Sequence, residues 1–324
     1  MFTYIVKRLL GMLPLLWGII TISFMVIHLA PGKPSALTEA MNPRVSSEVR
    51  ERLNKLYGLD RPLTIQYFDW CRKIITLDFG ASFIDGRPVI RKIGERLPLT
   101  VFINITSLFI ILFLGIIIGL KCASQAGSLY DHFMGLLVFI GFAMPGFWLS
   151  LLLMDFLGLK LRWLPISGIT SLDFEYFTFW GKAGDLLKHL ALPLFVSCFG
   201  GLAGISRYIR QNTLEILKTP YIRAARARGL TRSAVLIQHA LPNTLLPVVT
   251  ILGLSIPGLI GGSVIFESIF ALPGVGRLFY EAVMARDYPM IMAELVIGAA
   301  LTLWGNFLAD IAYSYVDPRI RYKR

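Results

Sequence analysis

The chain has 324 residues, of which 55% are hydrophobic and 16% are charged, and its formal net charge is +12. Its mean hydropathy is +0.65, and its hydrophobic fraction exceeds the roughly 45–50% apolar content of soluble domains. This composition excludes an ordinary soluble protein. The positive charge does not require a nucleic-acid partner, because the basic residues cluster at the expected inner edges of apolar segments, where membrane topology explains them.

Apolar runs long enough to cross a bilayer as helices recur along the chain. The sequence predicts six spans, at about 9–30, 99–120, 133–158, 189–206, 243–268 and 289–312. We interpret the first run as a retained span, because its apolar core is longer than the roughly 7–15 residues of a signal peptide. The sequence therefore predicts an all-α membrane protein with six transmembrane helices.

Lys and Arg residues indicate the orientation of these spans. Lys7 and Arg8 precede the first span, the connection between the fourth and fifth spans is rich in arginine, and the residues after the last span are basic. Because short cytoplasmic segments carry the excess of Lys and Arg, we expect both termini to be cytoplasmic in a multi-pass protein of the cell membrane.

The predicted spans divide the chain into four parts. Residues 1–30 hold the N-terminal segment and first helix, and residues 31–98 form an extracytoplasmic region. Residues 99–312 form a core of five helices with a cytoplasmic loop at 207–242, and residues 313–324 form a basic cytoplasmic tail.

Two amphipathic helices are expected in the extracytoplasmic region. Ser47 can cap one that continues to about Leu56, and the run LTIQYFDWCRKII, residues 63–75, predicts the other. We expect the two to pack as a small cap over the outer mouth, although a passive plug of loop structure is the alternative.

Two further segments leave alternatives open. Residues 159–188 are rich in aromatic side chains, which favour a membrane interface but would also suit an external partner. The fifth span contains helix-loosening residues, which could line a pathway or allow close helix packing. An acidic side chain in the sixth span is a further candidate for a pathway or subunit interface. These candidates are Pro257, Gly258, Gly261, Gly262 and Glu294.

A basic helix–turn–helix is expected between the fourth and fifth spans. Thr219 and Pro220 have residue types preferred at the cap and first position of a helix, and Gly229 suits a left-handed end. Thr231 can cap a second helix that enters the fifth span. Such a basic segment in a membrane protein suggests that a soluble protein docks on it.

This segment resembles the cytoplasmic loop of ABC importer permeases, whose pattern is E-A-A, three residues, G, nine residues, I-x-L-P. Here Ala224 and Ala225 are followed after three residues by Gly229, and after nine more by HALP. Arg223 stands where Glu is usual and His239 where Ile is usual. Arg223 resembles the variant of the dipeptide, oligopeptide and nickel permeases, and strings such as APGKP, LYGLDRPLTIQYFDW, MPGFWLSLLL and VDPRIR extend this resemblance along the chain, nearest to the first of two sister permeases.

The resemblance implies a type I ABC importer permease fold and a division of labour among several proteins. It implies a sister permease, two cytoplasmic ABC ATPases that bind ATP and Mg, and an extracytoplasmic substrate-binding protein. The residues that would couple this chain to an ATPase are Tyr221, Ile222, Arg223, Ala224, Ala225, Arg226, Arg228, Gly229, Leu241 and Pro242. The cargo would be di- or oligopeptides, with nickel or another small solute as the alternative.

The sequence carries no motif for catalysis or metal binding. It lacks the G-x-x-x-x-G-K-[ST] phosphate loop, and its four histidines are not spaced as metal ligands. We therefore expect a non-catalytic subunit that itself binds no cofactor, metal or nucleic acid. A proton-coupled transporter, for which Glu294 is the fair candidate, and a membrane enzyme are the weaker alternatives.

Overall fold

A computed structural model describes residues 2–29 and 60–316 of the chain. The expected helix at Ser47–Leu56 and most of the basic tail lie outside these ranges. The regular elements within them are helices, as expected for an all-α membrane protein. The amphipathic helix predicted from residues 63–75 is confirmed, with the same bounds.

The helices are numbered here in chain order. The first six are α1 Phe2–Leu29, α2 Leu63–Ile75, α3 Val89–Ser124, α4 Leu129–Ala143, α5 Gly146–Leu153 and α6 Phe179–Ile216. The remainder are α7 Pro220–Ala227, α8 Arg232–Ala234, α9 Leu241–Ser255, α10 Val264–Ile269, α11 Val275–Met284 and α12 Tyr288–Val316. A π-helical segment, Met154–Lys160, extends α5, and another, Val235–Ala240, joins α8 to α9.

Among the described residues, five helices are long and apolar enough to cross a membrane, and one bent pair would make a sixth. That pair corresponds to the span predicted at 133–158, which is therefore not a single straight helix. Its two halves, Leu129–Ala143 and Gly146–Lys160, meet at 105°. The break lies at Met144, whose backbone is extended, because the ring of Pro145 disfavours helical geometry in the preceding residue.

The span predicted at 243–268 is also interrupted, because α9 ends at Ser255 and is followed by a 3-10 turn, Pro257–Leu259. Non-helical backbone at membrane depth needs polar partners, since no water is present to replace the lost helical bonds. Asn104 of α3 supplies one by donating its side-chain N–H to the Leu259 carbonyl over 2.9 Å. The helix-loosening residues of this segment thus coincide with a real break in the helix.

The described residues form two compact units. The first comprises Met1–Thr100, Ile260–Val264 and Gly274–Leu308, so far as these are described. Its core contains one face of α1 with Ile20, Phe24 and Ile27, which packs with Trp70 of α2 and Met290 of α12. The hydroxyls of Thr21 and Tyr67 lie 2.7 Å apart and add a polar link between α1 and α2.

The second unit comprises Val101–Leu259, Ile265–Pro273 and the described part of Ala309–Arg324. In it α3 and α6 pack at close range through Gly115 and Gly119. A Cβ added to Gly119 would lie 2.6 Å from the Ser206 carbonyl oxygen, and one added to Gly115 would lie 2.7 Å from Cγ2 of Ile205. This Gly-x-x-x-Gly spacing lets the two backbones approach, as in other membrane helix pairs.

We predict that Gly119→Ala destabilises the helix pair by about 1–3 kcal/mol, because the added methyl group overpacks the contact. Gly135→Ala in α4 is the matched control, since a Cβ there meets nothing within 4 Å. The control should be neutral or slightly stabilising, because Ala favours a helix over Gly by up to about 1 kcal/mol. The midpoint of thermal unfolding of the detergent-solubilised chain measures both effects, and equal midpoints for the two variants would contradict the packing described.

Candidate functional site

The basic helix–turn–helix forms a structured elbow, which we define as residues 219–240. Helix α7 starts at Pro220 and the chain reverses at Gly229, whose φ is +82°. Thr231 then caps α8 by accepting the Ala234 backbone N–H over 3.3 Å. These features confirm the elements predicted from the sequence. Thr219 occupies the cap position of α7, but its hydroxyl donates to the Ile216 carbonyl at 2.6 Å instead of capping the helix.

A small apolar core holds the elbow together. Ile222 is fully buried and Ala225 is 1% exposed, and both pack with Val235 and Ala240. Side chains from the end of α6 and from the turn surround this core: Ile216, Leu217, Leu230 and Leu236. Helix α7 is therefore attached to its own chain by one face, and Ala225 belongs to that attached face.

A second face of α7, next to the buried one, is exposed. Tyr221 retains 44% of its surface, and Ala224 and Arg228 follow it at helical spacing, both exposed. Arg223 and Arg226, also exposed, add positive charge to the remaining surface of the helix. The face thus offers a small residue bordered by an aromatic ring and guanidinium groups, a surface that a partner's side chains can approach closely.

Polar contacts join the elbow to α9 and α9 to α6. The Asn243 side-chain amide donates to the Tyr221 hydroxyl over 3.0 Å. The hydroxyls of Thr213 in α6 and Thr244 in α9 lie 3.3 Å apart, and both side chains are fully buried. A displacement of α7 would therefore be transmitted to α9, the helix that follows the elbow.

The structure places the other predicted coupling residues at the ends of elements. Gly229 is exposed in the turn. Its left-handed backbone conformation would be strained for any other residue type. Leu241 is partly buried and Pro242 is exposed at the start of α9. Helix α6 continues to Ile216, so the first part of the predicted 207–242 loop is helical.

The candidate pathway residues are distributed over both units. In the second unit, Gly258 is exposed within the 3-10 turn that starts at Pro257. In the first, Gly261 is exposed, and the backbone of Gly262 lies 2.9 Å from where a Cβ on Gly276 would stand, which indicates close packing. Glu294 is 7% exposed within α12. A role for any of them in a pathway stays a prediction.

Sequence reasoning missed several buried carboxylates, and Asp287 is one of them. Asp287 is 1% exposed and accepts hydrogen bonds from the Ser82 hydroxyl and, at 3.0 Å, from the Phe83 backbone N–H. It thereby fixes the loop that precedes α3, where Lys92 also pairs with Asp85 at 2.8 Å. Burial alone would raise the pKa of Asp85, but hydrogen bonds from Lys92, the Arg87 backbone and Ser82 outweigh it and lower the pKa.

Two family models together match almost the whole chain. Residues 111–322 match the binding-protein-dependent transport system inner membrane component, and residues 1–104 match the N-terminal model of such membrane components. The chain belongs to this family of binding-protein-dependent permeases. The resemblance drawn from the elbow motif is thus confirmed.

Individual relatives cover the permease from end to end. The oligopeptide transport system permease protein AppB of Bacillus subtilis is 42% identical over 323 residues, covering 99% of this chain and 100% of the relative. The dipeptide transport system permease protein DppB of Alkalihalophilus pseudofirmus is 33% identical and covers 99% of this chain and 100% of the relative. The glutathione transport system permease protein GsiC of Salmonella typhimurium is 33% identical over the full length of both chains.

We predict that Ile222→Ala loosens the elbow by about 2–5 kcal/mol, because it leaves a cavity in a small core. Ile237→Ala is the matched control, since Ile237 lies in the same elbow but is 59% exposed. Trypsin cleavage at the elbow arginines in the purified permease measures local opening. Cleavage should accelerate in Ile222→Ala alone, and equal rates in the two variants would show that the apolar core does not hold α7.

Proposed function

We propose that this permease subunit imports peptides and is driven by separate ATPase subunits that bind the exposed face of α7. The observation that carries the proposal is the division of α7 into two faces. Ile222 and Ala225 anchor the helix inside the chain, while Tyr221, Ala224 and Arg228 point outward. A helix that is packed on one face and exposed on another can transmit a displacement from a bound partner to the rest of its chain.

The proposed partner surface has a definite chemistry. The small side chain of Ala224 lets a partner's backbone or apolar side chain approach α7 closely. The exposed guanidinium groups of Arg223, Arg226 and Arg228 would bind carboxylates or carbonyl oxygens of the partner. We expect an ATPase groove that is apolar at its base and acidic at its rim. ATP and Mg would bind only to those ATPases.

Peptide cargo is supported by the names of the relatives, which include oligopeptide, dipeptide and glutathione permeases. The remaining parts of the proposed machine are a sister permease and an extracytoplasmic binding protein that delivers the cargo. Both termini of the chain would face the cytoplasm, as the distribution of Lys and Arg favours.

We predict that Ala224→Trp abolishes co-purification of the ATPases, because a large side chain blocks close docking on α7. Ala225 is the wrong position for this test, since a bulky group there would break the elbow core before it touched a partner. Ala126→Trp is the control, at an exposed alanine in the turn after α3. Retained ATPase binding in Ala224→Trp, with the chain still folded in the membrane, would exclude this face as the docking surface.

We predict that the complete complex, reconstituted with its binding protein, accumulates labelled tri-alanine in vesicles only when ATP is supplied. The isolated chain should release no phosphate from ATP, because it has no phosphate-binding loop. Phosphate release and vesicle uptake measure the two activities separately. Hydrolysis by the isolated chain would refute the division of labour, and uptake of Ni²⁺ in place of tri-alanine would refute the peptide cargo.

A further inference from the structure

A second set of contacts joins the elbow to another part of the chain. Arg232, at the start of α8, donates from its guanidinium to the carbonyl oxygen of Ser124. Ser124 is the last residue of α3, where carbonyls lack helical partners and a positive charge is favoured by the helix dipole. The elbow is thus joined to the turn between α3 and α4, which we define as residues 124–131.

The same turn is held from another direction by α6. Arg210 donates to both carboxylate oxygens of Asp131, at 2.6 Å from Nε and 2.7 Å from a terminal nitrogen. This two-pronged geometry fixes the relative orientation of the two side chains as well as their distance. The partners lie 79 residues apart in the chain, so the contact is a tertiary link between α4 and α6.

Asp131 also organises the turn itself. Its carboxylate accepts the Gly127 backbone N–H at 3.0 Å, while its own N–H donates to Ser128 at the cap of α4. The residue is 6% exposed. A carboxylate this buried is costly unless it is fully paired, so removing Arg210 would leave a charge that the turn cannot accommodate.

These contacts close a ring. The end of α6 leads covalently into the elbow, the elbow reaches the turn through Arg232, and the turn returns to α6 through Asp131 and Arg210. All members lie in the second unit. A closed ring resists sliding of its parts better than the covalent connection alone, because any relative shift must break a charge-assisted hydrogen bond.

We propose that Arg232, Asp131 and Arg210 are positioning residues that make the elbow, the turn and α6 move as one piece when an ATPase displaces α7. This inference rests on the proposed function, in which α7 receives that displacement. Without the ring, the displacement of α7 would be absorbed by bending of the elbow before reaching α3 and α4. The three residues would then determine how much transport each ATP drives.

The test uses the complete complex in vesicles, with its binding protein and labelled tri-alanine as the probe. Arg232→Gln removes one link at an exposed position, where folding is not at risk. Asp131→Asn combined with Arg210→Gln removes the other link while leaving no unpaired buried charge. Arg207→Gln, at an exposed arginine on the same helix as Arg210, is the matched control.

We expect both link variants to bind the ATPases normally and to hydrolyse ATP, but to consume at least about fivefold more ATP per tri-alanine transported, the low end of coupling between distant sites. Arg207→Gln should leave this ratio unchanged. Arg210→Lys should lie between the wild type and the double variant, because an ammonium group keeps the charge but not the two-pronged geometry.

Two results would overturn the inference. The first is an unchanged ratio of ATP to tri-alanine in fully assembled link variants. The second is loss of ATPase binding in both link variants but not in Arg207→Gln, which would make these residues part of the docking surface. Failure of the wild-type chain to bind ATPases or to transport tri-alanine would instead refute the proposed function.

Discussion

The burial of Ile222 and Ala225 is the contact on which the elbow depends. Helix α7 has only two turns and would not be stable alone in water, because short isolated helices do not repay their nucleation. Packing against Val235 and Ala240 supplies the stability that so short a helix lacks. The same packing decides which side chains of α7 remain exposed, so the proposed docking face follows from the elbow core.

Breaks in apolar helices impose the second constraint on this permease. At three points where the backbone leaves helical geometry, a polar side chain from a distant part of the same unit meets it. Asn104 bonds the carbonyl of Leu259 after α9, and Thr100 accepts the Val275 N–H at the start of α11 over 3.0 Å. Asp287 accepts the Phe83 N–H in the loop before α3. Buried or partly buried polar side chains thus supply hydrogen bonds at these breaks.

The elbow combines an exposed basic face with hydrogen bonds to neighbouring helices in one short segment. Its exposed basic face is the docking surface proposed above, and Tyr221 on that face is hydrogen-bonded to Asn243 of α9. Arg232 provides a separate route to the end of α3. In the proposed mechanism, the membrane helix that follows the elbow responds to the ATPase without touching it.

The sequence alone determined the membrane class, the approximate spans, the amphipathic helix α2 and the motif that identified the family. These features are local, because apolar length, capping residues and the Ala-Ala/Gly/Leu-Pro spacing can each be read from neighbouring residues. Gly229 in the turn was predictable for the same reason, since its left-handed conformation is a property of one residue. The family strings quoted above extended this local information along nearly the whole chain.

Only the tertiary structure decided which face of α7 is buried and where the predicted spans break. Ala224 and Ala225 have the same side chain. Ala225 is buried because it packs with Val235 and Ala240, whereas Ala224 stays exposed. The Leu259 carbonyl that is freed after α9 is bonded by Asn104, which lies 155 residues away in the chain. The link between Asp131 and Arg210 joins residues far apart in the chain, and no local pattern can specify such a pair.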